Sequence, residues 1–317
     1  MFASCFPVRK NVIVSLRSEL NPSLGLVCMT FTDRVRFRTI TRTRLLSLEP
    51  ETQGEVLLRI YLSNAAKLDE AISFCLEEDI KLYRIPSTLF PFADHAIGRP
   101  VFAGLRSVLR RVGLRATACG IRLVSHPDQY VVLNSESPSV VANSRTMLDH
   151  QGRVCDFLVQ PRSPWNALTL HGGKGGRSAQ LVDAIAKLPV PVRSRLVLEN
   201  DERAYGAPEI LSVCKAAKIP MVFDAHHHIV RERLQSYDHP SVDRYLRLAR
   251  ETWPDPAWQL VHISNGRRSF NDMAHSDTIE HLPRSFRNAP WIEVEAKHKE
   301  VAIRLLKSAG ESFLNRS

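Results

Sequence analysis

Side chains able to do chemistry recur in this chain at one kind of place, the end of a short apolar run. Ser125-His126-Pro127, His171-Gly172-Gly173, Glu199-Asn200-Asp201, Asp224-Ala225-His226-His227-His228, His262 and Glu295 each close such a run, and His95 and His275 lie in the polar stretches beyond two runs. Eight of the twelve histidines fall in these segments. One histidine at a run's end is ordinarily a hydrogen-bonded loop residue. Six successive runs ending in potential ligands call for another explanation. Imidazoles and carboxylates gathered among apolar strands leave buried charge uncompensated, and a bound cation is the usual remedy. Mixed nitrogen and oxygen donors suit Zn²⁺, Mn²⁺ or Fe²⁺ better than Ca²⁺ or Mg²⁺, and the lack of thiolates sets aside a structural zinc site. Three carboxylates and at least five histidines are too many for one ion, so two or three divalent metal ions are expected. Glu199, in the middle of the set, is the candidate bridging carboxylate. Several ions in a basic protein point to phosphodiester hydrolysis, with one ion generating hydroxide and others neutralising the phosphate and the leaving oxygen.

The elements that must position these groups follow one rhythm. Strands are expected over 24–28, 80–85, 121–125, 167–170, 195–198, 220–223, 259–263 and 291–294. Amphipathic helices are expected over 55–77, 100–112, 138–158, 179–187, 207–217, 242–251 and 299–309. Eight strand–helix units fit a (β/α)₈ TIM barrel, with the chemistry on the face where such barrels build their sites. No Gly/Ser/Pro-rich linker divides the chain, so residues 21–317 are expected to be one domain. Residues 1–20 carry no secretory pattern and are expected to be a flexible leader or a start placed too early. A doubly wound nucleotide fold would place a glycine-rich turn after the first strand; Thr30-Phe31-Thr32-Asp33 stands there, so no nucleotide cofactor is expected. The long polar stretch 265–290 is expected to be a functional loop.

The 317 residues carry 43 Lys and Arg against 33 Asp and Glu, a formal charge of +10, which favours a polyanionic partner. No apolar stretch is long enough to span a bilayer. Six scattered cysteines without a C-x-x-C pair indicate a reducing compartment, hence a cytoplasmic protein, nucleoid-associated in a bacterium, and expected to be a monomer. Arg267, Arg268, Arg284 and Arg287 are available for phosphate contact or form a solvated basic loop.

Together, Arg84-Ile85-Pro86-Ser87 with Leu89 to His95, the stretch His126-Pro127-Asp128-Gln129-Tyr130-Val131-Val132-Leu133-Asn134-Ser135, His171-Gly172-Gly173, Leu198-Glu199-Asn200-Asp201, Asp224 to His228, His262-Ile263-Ser264 and Glu295-Ala296-Lys297 resemble the UV damage endonuclease family over nearly the whole chain. The resemblance implies a barrel akin to endonuclease IV and the xylose isomerases. It implies nicking of damaged double-stranded DNA immediately 5′ to UV photoproducts, with a cluster of divalent ions in which manganese is usual. By the same resemblance, His126, His171 and Glu199 hold one ion, Glu199, Asp224, His262 and Glu295 a second, and His227 and His275 a third. Glu199 and His95 are then catalytic, His95 resembling a family residue near the scissile phosphate. Gln129 and Tyr130 resemble the pair that wedges into the duplex at the lesion. A wedge suits an enzyme that meets many lesion shapes, because damaged steps unstack more cheaply than intact ones. Without the resemblance the pair reads as an ordinary loop with the tyrosine half-buried.

Two positions depart from the family pattern. Leu260 replaces a lysine able to be carboxylated and to ligate metal, which puts the third ion in doubt; two residues from His262, it is expected on the same side of its strand. Leu26 replaces a tyrosine, so a DNA contact near the lesion is expected to be lost. Rival readings keep the barrel but make the protein a sugar isomerase or epimerase, an abasic-site endonuclease of the endonuclease IV type, or a catalytically silent binder of kinked DNA.

Overall fold

The structure is a computed structural model that describes residues 22–314, with side chains described to Ala309; the expected leader 1–20 lies outside the described residues. Eight strands, β1 (Ser23–Val27), β2 (Leu82–Pro86), β3 (Arg122–His126), β4 (Leu168–His171), β5 (Leu196–Glu199), β6 (Met221–Asp224), β7 (Leu260–Ile263) and β8 (Trp291–Val294), close into a barrel in sequence order. Every pairing is parallel, including β1 with β8. A parallel sheet covered by helices is buried on both faces, which is why its strands read as nearly unbroken apolar runs until their last residues.

The helices are α1 (Arg42–Leu46), α2 (Pro50–Glu77), α3 (Gly98–Ala103), α4 (Arg106–Ala118), α5 (Pro138–Phe157), α6 (Ser178–Ala186), α7 (Val190–Arg193), α8 (Ala207–Ala217), α9 (Ala225–Glu232), α10 (Pro240–Arg250) and α11 (Lys299–Leu314). On α2, Leu57, Tyr61, Asn64, Leu68, Ala71 and Cys75 recur at helical spacing and are buried. Pro50 opens that helix at a position that needs no amide donor, earlier than the apolar periodicity suggests. The helix expected over 100–112 is two, parted at Gly104-Leu105. The short helices α1, α7 and α9 carry too few turns to show a period in sequence. Among the described residues no α-helix separates β7 from β8, only a loop with a 3₁₀ turn at Arg284–Asn288, where the long polar stretch 265–290 is expected to be a loop. No helix of the described residues is long and apolar enough to cross a membrane.

Alternation along the strands sorts the barrel interior into layers. Leu82, Val124, Ala167, Val197, Val222 and Leu260 form an apolar cluster with Trp253, packed by Trp258 and Trp291. Two residues further along the same strands stand Arg84, His126, Glu199, Asp224 and His262. Leu260 is thus fully buried in the apolar layer beneath His262, on the side of the strand expected for it. Leu26 also has no exposed surface, but it belongs to the core between barrel and helices. Gly25, paired with the inward Leu82, takes the inward position, so the Leu26 side chain points into that core and away from the mouth.

Candidate metal centre

The upper ends of β3 to β8 deliver residues at or beside their last positions to one point, and Glu199 occupies it. Its carboxylate is buried, and each oxygen faces two imidazoles. Oε1 lies 2.7 Å from His262 Nδ1 and 4.0 Å from His227 Nε2. Oε2 lies 2.9 Å from His126 Nε2 and 3.7 Å from His171 Nε2. Ligand atoms draw together in three sets that share Glu199: with His126 and His171, with His262 and Glu295, and with Asp224 and His227. This grouping differs from the one the resemblance implies, which joins Asp224 to His262 and Glu295 and pairs His227 with His275. Asp224 stands at the start of α9, where its Oδ1 accepts the His227 amide at 2.7 Å, so the helix cap itself brings His227 beside it. His275 borders the cluster from the β7–β8 loop, its Nδ1 3.7 Å from Glu295 Oε2 and its ring centroid 6.3 Å from that of His227.

The motif residues around these ligands hold the loops that carry them. Asn200 donates to the Asp224 carbonyl at 2.9 Å and accepts the Asp224 amide at 3.0 Å, locking the ends of β5 and β6 together. Asp201 Oδ1 accepts from the Arg203 amide at 2.7 Å, folding the turn that follows. Asn134 donates to the carbonyls of Gly172 and Lys174 and accepts the Lys174 amide, fastening the β3 loop to the β4 loop. Both glycines after His171 are needed here: a Cβ on Gly172 would sit 2.3 Å from the Tyr205 ring, and Gly173 has φ +77°. Ser87 donates to Asp128 at 2.9 Å and steadies the turn that presents Gln129 and Tyr130. That turn holds Tyr130 73% exposed, not half-buried against the barrel. Gln129 and Tyr130 share a cavity of about 470 Å³ with Met29, His126, Glu199 and Glu295.

His95 is outside the three sets. It is exposed in the loop after β2, where its Nδ1 accepts the Ile97 amide at 3.4 Å. The run His226-His227-His228 divides by helical geometry: only His227 joins the cluster. His226 bonds Tyr237 at 2.6 Å and the Asp272 carbonyl at 2.8 Å, tying down the β7–β8 loop, and His228 bonds Ser241 at 2.9 Å. In that loop Arg267 lies 3.7 Å from Asp277, and Arg284 meets Asp238 at 3.2 Å with most of its side chain in solvent.

Three charged residues of the centre were given no part by sequence reasoning. Arg84 on β2 donates from Nε and Nη2 to Glu293 at 2.8 Å and pairs with Glu295 at 2.5 Å. Glu293 also meets His262 Nε2 at 2.5 Å, and Glu202 meets His227 Nδ1 at 2.6 Å. Glu293 could have been found by counting back two from Glu295 along β8, which leads to the same inner face. Glu202 and Arg84 had no such signal.

Burial opposes the charge on Glu199, yet the imidazoles of His262 and His171 hold its carboxyl well below the ordinary range. Burial also disfavours the charged form of His227, but Asp224 and Glu202 outweigh it and push the ring up to about 10. Asp224 is pushed up to about 6 by burial, and His171 down to about 4 for the same reason. Two buried atoms in the centre, Asp224 Oδ2 and His171 Nδ1, have no hydrogen-bond partner among the described residues. An unpartnered carboxylate oxygen and an unpartnered ring nitrogen in a buried nitrogen and oxygen donor set, crowded around one shared carboxylate, fit divalent cations.

Fold and site define a class: a (β/α)₈ barrel with a carboxylate-bridged cluster of candidate metal ligands at the upper ends of its strands. The UV-endonuclease UvdE family matches residues 22–313, and the chain belongs to that family. It is an enzyme, an endonuclease. The UV DNA damage endonuclease of Nostoc sp. is 53% identical over 295 residues, covering 92% of each chain. That of Deinococcus radiodurans is 47% identical over 292 residues, covering 91% of this chain and 96% of its own. The crystal structure of SacUVDE superposes with TM-score 0.77 at 26% identity, covering 91% of this chain and 99% of that one.

Proposed function

We propose that this chain nicks double-stranded DNA immediately 5′ to UV photoproducts, cyclobutane dimers and 6-4 photoproducts, and to some abasic sites, using two or three divalent ions of which Mn²⁺ is the leading candidate. The convergence of three ligand sets on the single buried carboxylate of Glu199 carries the reading. His126, His171, Asp224, His227, His262 and Glu295 complete the sets, and His275 stands close enough to join an outer ion. When bound, such ions supply Lewis acidity to water and phosphate and neutralise the charge that builds up on the scissile group. With Leu260 in the apolar layer, position 260 would give no help to His227 and His275 in holding an outer ion.

The chain's own residues do the rest. Glu199 would be the ligand common to neighbouring sites, since imidazoles reach both of its oxygens. Gln129 and Tyr130, standing out from a braced turn, enter the duplex where stacking is weakest and bring the phosphate over the cavity. The net charge of +10 draws the polyanion in, so activity falls steeply as salt rises. His95, exposed beyond the cluster, serves the phosphate backbone at the rim of the mouth. The protein acts as a cytoplasmic monomer, residues 21–317 forming one catalytic domain.

The decisive experiment uses purified protein, Mn²⁺ and a duplex carrying one photoproduct. A single nick on the 5′ side of the lesion is expected, together with bound metal in the same sample. Metal-loaded protein that cuts no damaged duplex overturns the reading.

A further inference from the structure

An imidazole has two nitrogens and can turn only one toward a ligand cluster, so the outer nitrogen needs a partner that settles the choice. For His126 the backbone supplies it: Nδ1 lies 2.9 Å from the Pro127 carbonyl, leaving Nε2 on Glu199. For two other rings the outer partner is a carboxylate. His262 has Nε2 at 2.5 Å from Glu293 and Nδ1 at 2.7 Å from Glu199. His227 has Nδ1 at 2.6 Å from Glu202 and Nε2 facing Glu199. The two rings are therefore mounted in opposite senses around the same carboxylate.

Both outer carboxylates are themselves held. Glu293 has no exposed surface and takes two bonds from Arg84, one to each oxygen. Arg84 Nη2 also lies 3.1 Å from His262 Nε2, but it donates to Glu293 at 2.8 Å, and the carboxylate is the closer neighbour of the ring nitrogen. Glu202 is as enclosed as His227, with side chains 13% and 14% exposed.

We propose that Glu202 and Glu293 are positioning residues. Each accepts the outer N–H of its histidine and fixes the tautomer, so that His227 presents the Nε2 lone pair and His262 the Nδ1 lone pair to a divalent ion beside Glu199. The inference rests on the reading of the centre as a metal site. A carboxylate in this place also makes the ring a better donor, and loss of such a partner typically weakens metal binding about 10–100-fold. A purely structural ion pair predicts otherwise, since it would alter thermal stability and leave the choice of tautomer free.

The test reads metal and tautomer, not turnover alone. In ¹⁵N-histidine-labelled protein loaded with diamagnetic Zn²⁺, His262 is expected as the Nε2–H tautomer and His227 as the Nδ1–H tautomer. Glu202→Leu is expected to weaken Mn²⁺ binding, measured without DNA, by about 10–100-fold. Glu202→Gln, which keeps an acceptor at the same place, stays within about threefold of the wild type, and extra Mn²⁺ restores nicking by Glu202→Leu. The opposite tautomer at either ring, or a Glu202→Leu protein that binds Mn²⁺ as the wild type does, overturns this proposal and leaves the metal reading standing. Wild-type protein that binds neither Mn²⁺ nor Zn²⁺ overturns both. Should Glu202→Leu fail to fold, the wild-type tautomers still decide the matter.

Discussion

Arg122 at the lower end of the barrel and Arg84 at the upper end are both buried, and they are compensated by opposite means. At the lower end Arg122, 1% exposed, lies under the rings of Trp165, Trp253 and Trp291, 4.6 to 5.9 Å from their centroids, and donates to the carbonyls of Trp165 and Pro164. All four tryptophans of the chain gather there, Trp258 included. At the upper end Arg84 lies among Glu293, Glu295 and His262, with no aromatic cage. Aromatic faces stabilise a cation without carrying charge, so the lower end holds Arg122 without a carboxylate, although its Nη1 has no hydrogen-bond partner among the described residues. Burial pushes the Arg122 guanidinium down to about 9, because no carboxylate touches it. The upper end holds charge in excess of what Arg84 can balance, and it invites cations from outside. One end is made for stability, the other for binding and chemistry, as the fold's geometry favours.

The sharpest way to break this contrast is Glu199→Ala. It is expected to lower nicking by more than about 10³-fold, since it removes the shared ligand of every set, while binding of damaged duplex and thermal stability persist. A variant that unfolds instead would make the upper end structural after all. At the opposite end Arg122→Met is expected to cost about 3 kcal/mol in chemical denaturation, through lost cation–π contacts and two hydrogen bonds, and to leave kcat of the folded protein unchanged. A changed kcat with unchanged stability would erase the distinction between the ends.

A third measurement sets the charged rings of the site against a buried ring far from any carboxylate cluster. His150 packs edge-on to Phe102 with neither ring nitrogen hydrogen-bonded, and burial pushes it down to about 4. Between pH 6.5 and 4 the unfolded chain binds this proton and the folded chain does not, so stability falls as pH falls through that window. Wild type is expected to lose about 2 kcal/mol more than His150→Leu between pH 8 and pH 5, read from urea titrations at the two pH values. Equal losses would show that His150 carries no such cost. The smallest effect is at the mouth: Tyr130→Ala is expected to lower nicking about tenfold at limiting duplex, with no shift in Tm, because the exposed ring supports no packing. A stability loss there would place the ring in the scaffold.

The chain's pattern made the ligands legible and their company obscure. His126, His171, Glu199, Asp224, His262 and Glu295 stand out because each ends an apolar run, and a strand that is buried on both faces has few other places for a polar residue. Arg84 and Glu293 lie inside their runs and look like interruptions until the barrel closes and brings β2, β7 and β8 around one axis. Leu26 misleads for a related reason. Its neighbour Gly25 takes the inward face, and only the register shows which of two adjacent residues looks into the mouth.

The strand–helix rhythm and the ligands that end the strands were thus legible in the sequence alone, because apolar periodicity and the positions of its polar breaks are local properties. The tertiary structure decided how the ligands divide around Glu199, that His95 stands apart, that Tyr130 faces solvent, and which carboxylate holds which ring. Those outcomes depend on distances between residues far apart in the chain, set by barrel closure and loop packing, which no local pattern encodes.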